Sequence, residues 1–267
     1  MSIRADFSAR YGPWALITGA AQGMGAVYGE RLASLGLSVV LVDIQADLLD
    51  QQAAKVRQAT PGVEVRTVVC DLNDPADVHA AVDAVADVEI GLLVANAAIG
   101  AVGRWLEVPL ETKLQQVAVN CTSVLILADR LTRPMVDRGR GGVIVMASGA
   151  ANAGSSFIVT YAATKAFDRV FAEGLWLELS PYGVDVTTVM PGAVNTPGFR
   201  DTIPAGHEPT AAMQPADPRM VVEAALEGLG TRINVHPSQP ADAAPEPITR
   251  EEILKMGDSA VREMYDR

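Results

Sequence analysis

Three side chains in this sequence can perform one piece of chemistry together: the hydroxyl of Ser148, the phenol of Tyr161 and the ammonium of Lys165. Tyr161 and Lys165 stand at i and i+4, so on a helix they share a face, one turn apart. A free phenol ionises near pH ~10, and an ammonium within ~4–6 Å favours the phenolate. Lys165 can thereby make Tyr161 a usable acid or base. Ser148 follows the apolar run Val143 to Met146, which puts it at a strand terminus, where its hydroxyl can orient a substrate oxygen against the phenol. The three together describe a general acid–base site. Tyr and Lys also fall four apart by chance, so the set needs an independent signal and a fold that brings it together.

The independent signal is the stretch Thr18-Gly19-Ala20-Ala21-Gln22-Gly23-Met24-Gly25, which follows an apolar run and opens a helical pattern. Strand, glycine turn and helix in that order form a dinucleotide-binding context. Glycine lets the backbone approach a pyrophosphate, and the helix N-terminus supplies N–H donors and positive potential. Asp43 closes the second apolar run, where its carboxylate can accept from the adenosine ribose hydroxyls and repel a 2′-phosphate. No Lys or Arg occupies Ala20 to Gln22 or the positions just after Asp43, so the expected cofactor is NAD rather than NADP.

The elements that must position these groups are legible as an alternation of short apolar runs and longer amphipathic stretches. Trp14 to Thr18, Ser38 to Asp43, Val63 to Cys70, Ile90 to Asn96, Val143 to Ser148 and Val184 to Met190 read as strands, with Ile233 to His236 a weak seventh. Runs apolar on both faces and separated by helices predict a parallel sheet covered on both sides. The expected fold is therefore α/β: a Rossmann-like, doubly wound parallel sheet of about seven strands flanked by helices. A single domain is expected over 1–267, with a core over 1–236, a proline-rich linker over 237–248 and a C-terminal helix over 249–267. Thr249 and Glu252 form the capping-box pattern that opens that last helix.

Composition narrows the function classes. A chain of 267 residues, 49% hydrophobic, can bury a large core. Its net charge of −11 argues against nucleic acid or an anionic membrane as a partner. Cys70 and Cys121 read as small buried residues of a reduced compartment. The N-terminus carries charges where a signal peptide needs its apolar region, and no apolar stretch approaches the ~18 residues of a membrane span. A soluble, cytoplasmic protein is expected. His79, His207 and His236 lack metal-ligand spacing, so no metal is expected. Ser148 lacks the Gly-x-Ser-x-Gly flanks of a hydrolase elbow.

With the glycine turn and the Ser, Tyr and Lys set in hand, the sequence closely resembles the short-chain dehydrogenase/reductase family over about Trp14 to His236. Thr18-Gly19-x-x-x-Gly23-x-Gly25 matches the cofactor motif, Asp71-Leu72 the pair that contacts adenine, and Asn120 the fourth member of the catalytic set. Pro191-Gly192-Ala193-Val194-Asn195-Thr196 resembles the segment that holds the nicotinamide carboxamide, through Val194 and Thr196. The resemblance implies further cofactor contacts from Gln22, Met24, Ile44 and Asn96. It also implies that Lys165 grips the nicotinamide ribose and that Asn120 holds a water on the proton's path to solvent. One departure is Ala95-Asn96-Ala97-Ala98, where the family usually shows Asn-Asn-Ala-Gly.

The implied reaction is oxidation of an alcohol by hydride transfer to nicotinamide, with Tyr161 taking the hydroxyl proton. Gly149-Ala150-Ala151, with Phe157 and Ile158 beyond, offers small and apolar groups and no cation, so a bulky, apolar secondary alcohol (alicyclic, aryl or steroid-like) is the expected substrate. Segment Pro197 to Pro215 is expected to close over it. Reduction of a carbonyl or a 3-oxoacyl thioester is the alternative, and a non-catalytic dinucleotide sensor the alternative of another class. Helix Ser156 to Leu179 is apolar nearly all round, so a second subunit is expected to cover it in a homodimer or homotetramer.

Overall fold

The structure, a computed structural model, describes residues 3, 6–203, 207–209 and 213–237. The strands are β1 (Trp14–Thr18), β2 (Ser38–Asp43), β3 (Val65–Val69), β4 (Ile90–Ala95), β5 (Gly141–Met146), β6 (Val184–Val189) and β7 (Asn234–Val235). They form one parallel sheet in the order β3-β2-β1-β4-β5-β6-β7. Between them run α1 (Phe7–Tyr11), α2 (Gly23–Ser34), α3 (Ala46–Ala59), α4 (Pro75–Asp83), α5 (Leu110–Val117), α6 (Ser123–Arg138), α7 (Val159–Leu179), α8 (Pro197–Arg200) and α9 (Pro218–Gly228). The fold is the doubly wound α/β sheet expected from the sequence.

β1, β4 and β5 are buried at every position because helices cover both faces of the sheet. Successive residues of one strand enter opposite cores: Ile17, Leu41, Val94 and Ile144 pack on one side, and Leu16, Val40, Leu93 and Val143 on the other. The strand order turns back between β1 and β4. In such sheets the crevice at the carboxyl ends of the strands beside that switch point is where a ligand binds. Those ends carry Thr18, Asp43 and Asn96, with Ser148 and Pro191 just beyond β5 and β6.

Several boundaries differ from expectation, β4, β6 and β7 each being shorter by one or two residues than the runs read from the sequence. Ser148 stands two residues past β5, because Met146 makes the last pairing with β6, opposite Val189, and the chain then turns. α7 begins at Val159 rather than Ser156, since Phe157 has φ 64° and cannot belong to a right-handed helix. β3 is shorter than Val63 to Cys70, pairing with β2 only from Val65 to Val69. The proline-rich stretch beyond residue 237 and the expected C-terminal helix lie outside the described residues. No helix among the described residues is long and apolar enough to cross a membrane.

Candidate active site

The glycine turn is built by contacts that exclude side chains. Gly19 and Gly23 have φ 66° and 59°, in the left-handed region that glycine occupies without cost. A Cβ on Gly25 would stand 2.0 Å from the Gly19 carbonyl oxygen, so only glycine lets α2 start against the turn. Gln22 caps α2 without a side-chain hydrogen bond, which leaves first-turn amides for a ligand. Thr18 Oγ1 accepts from the amides of Asn96 and Ala97, both at 3.0 Å, and Asn96 Nδ2 donates to the Thr18 carbonyl at 2.9 Å. These bonds tie β4 to the turn. In the sequence Thr18 appears as the first residue of the glycine motif, without the side-chain role that these bonds give it.

Asp43 is buried at the end of β2, with Oδ2 accepting from the Ala21 amide and Oδ1 from the Gln45 amide, both at 3.0 Å. It thus fixes the glycine turn itself and retains acceptor capacity for ribose hydroxyls. Ile44 is exposed and Leu72 buried, and Asp71 accepts from the Asn73 amide at 2.9 Å. Across the turn, a Cβ on Gly23 would stand 3.4 Å from Thr196, which caps α8 by accepting from the Phe199 amide at 3.2 Å. Val194 is buried in a bridge with Ala216. The Pro191 carbonyl, beside Gly192, accepts from the Gly149 amide at 2.8 Å and so joins this segment to the Ser148 loop. A side-chain-free cradle at a helix N-terminus, flanked by a buried carboxylate, fits a dinucleotide. Ala98, where glycine was expected, has no positive φ, so its Cβ costs nothing in backbone strain.

Of the four residues expected to act together, Tyr161 and Lys165 lie on α7 and Ser148 just beyond β5. Lys165 reaches β5 through the Met146 carbonyl, while the Asn120 side chain is bonded to Ile99 and Thr164. Ser148 is half-buried, and its Oγ accepts from the Ala150 amide at 3.2 Å, capping a 3-10 turn over Gly149–Asn152. Tyr161 lies half-buried in the first turn of α7. The Lys165 ammonium lies 6.0 Å from the Tyr161 ring centre and donates to the Met146 carbonyl at 2.6 Å and to Asp168 Oδ2 at 2.9 Å. Two of its three donors are taken and one remains.

Asn120 sits in a π-helical turn, Ala118–Thr122, between α5 and α6. Its Oδ1 accepts from the Ile99 amide at 2.9 Å, and its Nδ2 donates to the Ile99 carbonyl at 2.9 Å and to Thr164 Oγ1 at 3.0 Å. The side chain braces the loop after β4 against α7 rather than reaching into the cleft. Thr164 Oγ1 in turn donates to the Tyr161 carbonyl at 2.8 Å, so the brace reaches the phenol's own turn. Thr164 and Asp168 were both missed in the sequence. The available signal was a polar residue on the inward face of an otherwise apolar helix.

The wall beside the first turn of α7 contains Ala101, Gly103, Trp105, Val108, Phe157 and Val159, around a void of about 10 Å³. The expectation that no cation stands near this wall is corrected by the fold. The Arg104 guanidinium lies 5.4 Å from the Phe157 ring centre and the Lys113 ammonium 3.9 Å from that of Trp105. Both come from a stretch more than forty residues before Phe157, which the local reading of 148–158 could not include. The segment expected to close over substrate includes α8, while residues 204–206 and 210–212 lie outside the described ones.

A family model described as short chain dehydrogenase matches residues 13–205. The chain belongs to that family. Among relatives of this short-chain dehydrogenase, the 7beta-hydroxysteroid dehydrogenase of Collinsella aerofaciens is 30% identical over 227 residues, 85% of this chain and 86% of the relative. A solved short-chain dehydrogenase from Sphingobium yanoikuyae, in complex with NADPH, is 32% identical, with a TM-score of 0.79 over 87% of this chain and 89% of that one. The bulky-bulky ketone specific alcohol dehydrogenase from Comamonas testosteroni is 29% identical, with a TM-score of 0.76 over 87% and 88% of the two chains. This short-chain dehydrogenase is accordingly an oxidoreductase that uses a nicotinamide dinucleotide.

Proposed function

We propose that this short-chain dehydrogenase interconverts a bulky secondary alcohol, apolar around its reacting carbon, with its ketone, using NAD. What supports the substrate class is the group Trp105, Val108, Phe157 and Val159 beside the turn that bears Tyr161, which shares its small void with Lys113, Gln116 and Thr160. Phe157 holds a left-handed φ that a bulky residue adopts only under constraint, and such strain clusters at ligand sites. Relatives that act on a hydroxysteroid and on bulky ketones support the same class.

With its pyrophosphate at the glycine cradle, a bound dinucleotide would supply the hydride acceptor or donor through its nicotinamide. The protein's part is position and charge. Ser148 donates to the substrate oxygen and orients it. Tyr161, as phenolate, takes the hydroxyl proton in oxidation and, as phenol, returns it in reduction. Lys165 holds its ammonium one turn from Tyr161, and its remaining donor is available to the ribose. Asp43 accepts from the adenosine ribose and repels a 2′-phosphate. The test is a matched series of apolar secondary alcohols, polyols and 2-hydroxy acids, each with NAD and NADP. NAD is expected to give at least about tenfold higher kcat/KM, roughly 1.4 kcal/mol. Equal efficiency with the two cofactors overturns the NAD reading, and a polyol or a 2-hydroxy acid that surpasses every apolar alcohol overturns the substrate class.

The active form is proposed to be a homodimer or homotetramer. α7 exposes Phe167, Val170, Trp176 and Leu177, and Leu125 of α6 is exposed beside a groove of about 630 Å³ between the two helices. An apolar row on a helix already packed on its own sheet calls for a second covering surface. A second copy, presenting the same row, is that surface under twofold symmetry. Light scattering at micromolar concentration is expected to give at least the dimer mass; a monomer mass overturns the assignment.

A further inference from the structure

The lysine of the acid–base set has a partner that the set itself does not require. Asp168, one turn after Lys165 on α7, is 1% exposed, and its Oδ2 accepts from Lys165 Nζ at 2.9 Å, with the lysine side chain itself 3% exposed. Its other oxygen is buried without a hydrogen-bond partner. A buried carboxylate is costly even when paired, and a helix position facing the core is more simply filled by an apolar residue. Burial pushes the Asp168 carboxyl above the usual carboxylate range, while the Lys165 charge works against that rise.

The groups facing the pair are few. From the π turn comes Cys121, its thiol pushed up to about 12 by burial first, then by the Asp168 charge, with Lys165 opposing. β5 contributes the neutral Met146 carbonyl, and Asn120 a neutral amide held by Thr164. Arg169, next along α7, turns away to Asn152 at 2.9 Å and to Glu173. Among the described residues, Lys165 is the charge acting on Asp168, and Tyr161 lies one turn back on the same helix.

We propose that Asp168 is a positioning residue: it holds the Lys165 ammonium against the Met146 carbonyl and offsets its charge, so that Tyr161 faces a weaker positive field than a lone lysine would exert. That balance suits a phenol which must release a proton in one direction of the reaction and return it in the other. The proposal rests on Tyr161 as the acid–base group, yet its test needs neither substrate nor cofactor.

The ultraviolet absorbance of phenolate is titrated in the parent and in Asp168→Asn, each with and without Tyr161→Phe. The difference within each pair isolates the ionisation of Tyr161 from that of the other tyrosines. Removing a negative charge favours the phenolate, so Tyr161 is expected to lose its proton about one pH unit lower in Asp168→Asn, the lower end of what a nearby charge does. If Asp168→Asn does not fold, Asp168→Ser, neutral and smaller, is read in the same way. A merely structural aspartate would lower the melting temperature and leave the Tyr161 step in place. A step at the parent's pH, or above it, in a folded neutral variant overturns the proposal. Turnover that survives Tyr161→Phe overturns the acid–base reading instead, and the two failures are distinguished by separate measurements.

Discussion

Tyr161→Phe is expected to lower kcat/KM by about 10²–10⁴-fold, the range for loss of a positioned general acid–base group. That corresponds to about 3–5 kcal/mol of transition-state stabilisation. The substitution removes one oxygen from a half-buried ring in the first turn of α7, and neither the Asn120 to Thr164 bond nor the Lys165 to Asp168 pair depends on that oxygen. Fluorescence titration with NADH is therefore expected to return the parent's affinity. A Tyr161→Phe enzyme with near-parent kcat removes the phenol from the mechanism. Lys165→Ala is a poorer probe of the same chemistry. It strands the Asp168 carboxylate, 1% exposed, without its ammonium, and breaking a buried pair costs about 3–5 kcal/mol of stability. A loss of activity in Lys165→Ala mixes catalysis with folding, whereas the Tyr161→Phe result does not.

Gly25→Ala carries the second large effect, on cofactor binding. The added methyl would stand 2.0 Å from the Gly19 carbonyl oxygen and 2.8 Å from Asn96 Nδ2, so α2 must move away from the turn. Such overpacking costs about 1–3 kcal/mol of stability. The same displacement carries the first-turn amides of α2 away from a pyrophosphate, and at least about tenfold weaker NADH binding is expected, near 1.4 kcal/mol. Thermal unfolding and fluorescence titration measure the two losses separately. Parent-like NADH affinity in a folded Gly25→Ala protein overturns the assignment of this turn as the dinucleotide cradle. Gly36 makes the useful contrast within the same protein: a Cβ there meets nothing within 4 Å, though its φ of 86° strains any replacement. A Gly36→Ala change is therefore a backbone perturbation without a steric one.

The layered α/β fold was legible in the sequence because its cause is local. A strand buried on both faces must be apolar along its length, and β1 and β2 emerged with the boundaries read from their runs, Trp14–Thr18 and Ser38–Asp43. The glycine turn and the i,i+4 relation of Tyr161 to Lys165 were legible for the same reason, since backbone conformation and helix period follow from neighbouring residues. The start of α7 was not, because it depends on Phe157 holding φ 64° where Gly103 donates to the Phe157 carbonyl at 2.9 Å, a contact with distant chain. Nor was the use of the polar groups around the site. Asp43 as a clamp on Ala21, Asn120 as a brace on Ile99 and Thr164, and Arg104 over Phe157 all join residues from separate elements. Asp168 is the sharpest case. Sequence shows an acid three positions after a lysine, a spacing as common on solvated helix faces as anywhere. Only the packing of α7 against β5 and the π turn excludes water from that pair and turns it into a charge balance beside Tyr161.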